Sequence, residues 1–154
     1  MKQQLDLNNS NISTILNSKL GLLRDHVELE INQIDKWINS LTNQSKLESN
    51  KRKERCEICN SKEDYFEGHH IAGRKHDYRQ VTVCKPCHRW LSDKQKTWDK
   101  RWEKENLSEN LRDAFFLQGL QDILILKSKK TGNSLYDDLG YFYTENISEL
   151  LKRG

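Results

Sequence analysis

All four cysteines and four of the five histidines of this 154-residue chain lie in residues 56–88, CEICNSKEDYFEGHHIAGRKHDYRQVTVCKPCH. The cysteines form two CxxC pairs, Cys56 with Cys59 and Cys84 with Cys87, with 24 residues between them. Two such pairs supply four thiolates, which complete a tetrahedral zinc sphere and leave no open position for a substrate. The zinc they imply is therefore structural. In a reducing compartment, paired CxxC cysteines are expected as metal thiolates rather than disulfides. His69 and His70 stand side by side between the two pairs, and His88 follows the last cysteine. If the residues leading into the double histidine form a strand, its two imidazoles point to opposite faces. One can then hold a divalent cation against a phosphate while the other accepts a proton from an attacking water. His88 is expected on the first turn of a helix, whose N-terminus favours a nearby anion.

The elements that must position these residues are mostly helical. From Ile12, apolar residues recur at Leu16, Leu20, Leu23, Val27, Ile31, Ile34, Ile38 and Leu41, steps of three and four that lay one stripe along a helix. The spacing predicts one long helix with Gly21 as its weakest point, its stripe packed on the C-terminal helices or on a second copy of the chain. His26 lies beside the stripe and reads as a structural or surface residue. NQSKLESNKRKER reads as a polar, basic linker. After the cysteines, LSDKQKTWDKRWEKEN has helical composition, with Trp98 and Trp102 on one face as core aromatics. Ser108 is a plausible N-cap for a helix over ENLRDAFFLQGLQDILIL, a Gly-Asn turn follows it, and the tail reads as one or two short helices.

Charge follows the chemistry. Lys and Arg against Asp and Glu number 5 to 6 in residues 1–50, 14 to 8 in 51–102 and 7 to 9 in 103–154. A basic segment between neutral flanks suits a polyanion site in a neutral scaffold. The N-terminus carries no apolar run of signal-peptide length, and the longest aliphatic run, Ile123 to Leu126, is far too short to cross a bilayer. A cytoplasmic protein with no membrane partner is expected.

The order CxxC, GHHIAGR, VTVC, CKPCH resembles the HNH endonucleases of the zinc-supported type, over roughly residues 54–96. The resemblance implies a ββα-metal fold and hydrolysis of DNA phosphodiesters. It makes His69 and His88 ligands of a catalytic magnesium or manganese, with other divalent ions tolerated, and His70 the general base. It assigns Arg74, Lys75, Arg79 and Arg89 to the flanking phosphates. Two positions depart from the family pattern. Arg79 stands where the family has its orienting asparagine, with His76 as the alternative for that task, and Ser92 stands where some members carry a further histidine.

The expected architecture is α+β: a helical region in 1–50, a small zinc-stapled ββα-metal module in 51–102, and a helical region in 103–154. The helical flanks are the expected place for a homodimer or a protein partner. The rival expectation is a non-catalytic zinc ribbon that binds nucleic acid or protein and keeps a degenerate HNH site.

Overall fold

The computed structural model describes the backbone of residues 2–154 and the side chains from residue 11 onward. It is helix-rich α+β, and by compactness it divides into two units, Met1–Asn39 and Ser40–Gly154. Residues 51–102 and 103–154 both fall within the second.

Helix α1 spans Lys2–Thr42 and runs through Gly21 without a break. With no proline in this segment, the 3–4 spacing of aliphatics sustains the helix, and one glycine costs only about 1 kcal/mol. The stripe is exposed over most of its described length. Ile12, Leu16, Leu20, Leu23 and Ile31 are each more than half exposed, and burial begins only at Ile34 and Leu41.

The second unit opens with a single-turn helix, α2, over Lys46–Ser49, in the stretch read as linker. Its signal was a capping box. Ser45 accepts from the Glu48 amide, and the Glu48 carboxylate accepts from the Ser45 amide. Strands β1 (Glu67–His70) and β2 (Gln80–Val83) form an antiparallel pair in which His69 faces Val81 and His70 faces Gln80. Helix α3 follows at Lys85–Gln95, with Cys84 as its N-cap residue and Pro86 in its first turn, where a missing N–H costs nothing. The continuous helix expected after it is instead a break and a 3₁₀ turn at Lys100–Glu103. Helix α4, Glu109–Thr131, starts at Ser108 as expected, its hydroxyl accepting from the Leu111 amide. It stops at Gly132, whose φ of 73° is left-handed. Helices α5 (Ser134–Phe142) and α6 (Thr144–Arg153) pack on α4. Tyr141 and Phe142 stay exposed, so the tail closes the core through Gly140 and Ile147 rather than through its aromatics.

The core joins α4 to the hairpin. Phe115, Ile123 and Leu124 of α4, Leu91 of α3 and Ile71, Val81 and Val83 of the hairpin are essentially inaccessible. Trp98 and Trp102, expected as core aromatics, are half-buried and pack at the edge of this core. Trp98 stacks on Phe115 at 5.9 Å and donates to Asp122 at 2.8 Å, and Trp102 donates to the Ala72 carbonyl at 2.9 Å. Two glycines permit these approaches. At Gly119 a Cβ would lie 1.9 Å from the Ile71 carbonyl oxygen, and at Gly73, with φ of 95°, 2.7 Å from the Trp102 indole.

Candidate functional site

The two CxxC loops meet because β2 is anchored on both. The Glu57 amide donates to the Thr82 carbonyl at 2.9 Å, and the Thr82 amide donates to the Glu57 carboxylate at 2.7 Å. Asn60 takes a left-handed φ of 59° to close the first loop, and the second is the start of α3. The four Sγ atoms all lie within 4.8 Å of one another, with Cys59 and Cys84 at 3.6 Å and no disulfide formed. This group can hold a metal ion. Its thiols are unequal: a hydrogen bond from Cys87 and backbone amides push Cys56 down, while the same Cys56 contact and burial push Cys87 up. Lys127 of α4 reaches the loop and donates to the Glu57 carbonyl.

The histidines line a cleft of about 630 Å³. Its walls include His69, His70, His88, Glu67, Arg52 and Arg74. His69 is 4% exposed, and burial, reinforced by His88 and His70, pushes its pKa down to about 3. It is therefore neutral at physiological pH, with a lone pair free for a metal. The ring of His88 lies edge-on to it, centroids 5.3 Å apart. His88 Nδ1 is 2.9 Å from the Glu67 carboxylate. A carboxylate on one ring nitrogen fixes the tautomer and aims the other nitrogen at a ligand. His70 is half-buried, and its pKa is lowered by burial first and then by the Arg74 and Arg52 guanidiniums. Among the described residues, no group of three or more metal-binding side chains besides the cysteines converges as tightly.

The structure sorts the sequence-predicted residues. His69, His70 and His88 come together, and Arg74 lines their cleft. Lys75 is exposed on the loop after it, and Arg89 lies on the outer face of α3 beside Lys85 and Trp90. Arg79 does not fit a phosphate clamp. Its guanidinium makes two hydrogen bonds to Asp77, a third to the Thr42 carbonyl at 2.8 Å, and lies 3.6 Å over the Phe116 ring. The chain has spent this side chain on holding the hairpin loop in place. His76 is likewise outside the cleft walls, bonded to the Trp102 carbonyl at 2.7 Å and stacked on Phe115. Neither is in place to orient His70. What holds the backbone there is Gln95 of α3, donating to the His70 carbonyl at 3.0 Å, and the Ile71 amide bonded to the Arg79 carbonyl.

Two charged residues of the cleft were missed, Glu67 and Arg52. Glu67 could have been found, because it lies two residues before His69 and strand alternation places both on one face. Arg52 sits in the supposed linker and reaches the cleft by bonding Gln80, 28 residues away, at 3.0 Å, which no local pattern announces.

No family model, no characterised protein and no solved structure matches this chain. No described helix is long and apolar enough to cross a membrane.

Proposed function

We propose that the chain is a metal-dependent endonuclease of the HNH type, cutting DNA phosphodiesters at the cleft between β1 and α3. The observation that carries the reading is the gathering of His69, His70 and His88, with Glu67 and two arginines, in one cleft supported by a four-cysteine group. The order β1, β2, α3 around it suits a ββα-metal module. The donor set fits two ions. Cys56, Cys59, Cys84 and Cys87 would hold zinc, whose removal melts the hairpin because binding free energy there is folding free energy. His69 and His88 would hold magnesium or manganese, and both are fit for it: one is kept neutral by burial, the other is held at Nδ1 by Glu67. When bound, that ion supplies charge stabilisation to the phosphate oxygens and acidifies water.

The remaining work falls to the chain's own side chains. His70, kept neutral by burial and two guanidiniums, accepts the proton of the attacking water. Arg74 and Arg52 bind the anionic backbone on either side, with Lys75 and Arg89 further out, so contact is made with phosphates more than with bases. Weak sequence selectivity and a steep salt dependence follow.

The test is nicking of supercoiled plasmid with added magnesium or manganese. Cleavage by the intact chain and its loss in His70→Ala, with zinc content unchanged, is expected. A zinc-loaded chain that binds DNA but does not cut it with either divalent ion would instead be the non-catalytic zinc ribbon.

A further inference from the structure

The apolar stripe of α1 lies open along most of its described length. Ile12, Leu16, Leu20, Leu23 and Ile31 are each 51–58% exposed, and with Val27 they make a continuous strip. Soluble monomers rarely expose contiguous apolar patches larger than a few hundred Å², and larger ones mark interaction sites. Between Leu16 and Glu30 the spacing is 4, 3, 4, 3, the alternation of a coiled-coil seam: Leu20 and Val27 at one core position, Leu16, Leu23 and Glu30 at the other. A groove runs along it, bordered by Leu20, Leu23, Val27, Ile31 and Arg24.

The charges on the helix say which partner fits. Between residues 11 and 24 there are two cations, Lys19 and Arg24, and no acid, whereas residues 25–39 hold Asp25, Glu28, Glu30 and Asp35 against Lys36 alone. The helix is basic in its first described half and acidic in its second. A parallel pair would set Lys19 beside the partner's Arg24 and press two Glu30 carboxylates into the seam. An antiparallel pair reverses both. Centred near Asp25, it brings Leu23 level with the partner's Val27, and Leu20 level with the partner's Glu30, beside which stands Lys19. Glu30 contacts His26 at 3.1 Å within its own helix, a pair that is partly exposed and that solvent screens.

We propose that α1 docks on a second copy of this chain as an antiparallel two-helix seam. The contact is two-fold symmetric, so each pairing occurs twice. This surface lies on α1, with no residue of the histidine cleft, and does not depend on the nuclease reading.

Light scattering of the full chain at micromolar concentration tests it. A dimer is expected, and Leu23→Asp with Val27→Asp should give a monomer that keeps its helicity and its metal content, which shows that the variant folds. The orientation is read from Lys19→Glu. In the antiparallel seam it turns two attractions into repulsions and weakens the dimer by about ten-fold, and Glu30→Lys in the same chain restores it. A monomeric intact chain overturns the proposal. So does a dimer that Lys19→Glu tightens, the result a parallel seam gives, or one that survives Leu23→Asp with Val27→Asp.

Discussion

Replacing Glu67 by Gln isolates one interaction at the cleft. The amide keeps the size of the side chain and one oxygen acceptor but removes the negative charge facing His88 Nδ1 at 2.9 Å. A hydrogen bond to a charged group contributes about 1.5–3 kcal/mol. The two side chains are 29% and 34% exposed, so solvent screens the pair, and the lower half of that range applies. A loss of about 1.5–2 kcal/mol lowers manganese affinity by about ten- to thirty-fold, within the span seen when carboxylates behind metal-bound histidines are removed. Calorimetric titration of manganese into zinc-loaded protein measures this, with His69→Ala as the reference for losing a ligand outright. If Glu67→Gln and Glu67→Ala both bind manganese as tightly as the parent chain, Glu67 has no part in aiming His88, and the pairing is a surface contact only.

Arg79→Ala should cost about 2–3 kcal/mol of stability in denaturant titration, through the lost Asp77 and Thr42 hydrogen bonds and the Phe116 contact, and leave the salt slope of DNA binding unchanged. Arg74→Ala should do the opposite, lowering affinity for all sequences and flattening that slope by about one phosphate contact. Because the pKa of His70 is lowered, the neutral base persists as pH falls, and the acid limb of the cleavage profile should lie below the ordinary histidine value of about 6.5. Arg74→Gln should move that limb upward. The lowered pKa of His69 also affects stability: between pH 6.5 and about 3 only the unfolded chain binds its proton, so stability falls by about 1.4 kcal/mol per unit of acidification. Denaturation at pH 7 and pH 5 should show about 2 kcal/mol less of this loss in His69→Gln than in the parent. Gly119→Ala drives a Cβ against the Ile71 backbone, so both stability and the position of His70 should suffer, read as a lowered Tm together with a lowered kcat.

The grouping of the cysteines and histidines was legible where spacing is itself a geometric constraint. Two CxxC pairs and an HH step on a strand carry their own distances, and Ser108 and Gly132 carry the backbone angles that begin and end α4. What was not legible depended on where long side chains end. Arg79 and Arg52 have the same chemistry and similar basic surroundings in sequence, yet one is bound to Asp77 and Thr42 and the other to Gln80 in the cleft. Only the pairing of β2 with β1 and the position of Asn50–Arg55 against it decide which guanidinium lines the cleft. His76 fails for the same reason. Its neighbours in the core, Trp102 and Phe115, come from segments 26 and 39 residues later.

Those same contacts make the C-terminal helices part of the site rather than an appendage. The hairpin is only four residue pairs long, and an isolated two-stranded ribbon is marginal in water. Its turn is fixed from outside: Trp102 caps the Ala72 carbonyl, Gly119 lets α4 touch the Ile71 backbone, and Lys127 of the same helix holds the first cysteine loop through Glu57. Ile71 directly follows His70, so the helix that supports the fold also sets the backbone from which His70 projects. The four cysteines fix one end of the hairpin and α4 the other, with the cleft's histidines between them. A module of this size has too little core to hold three imidazoles and a carboxylate in place by itself, and the rigid surface against which it is held is the apolar face of α4.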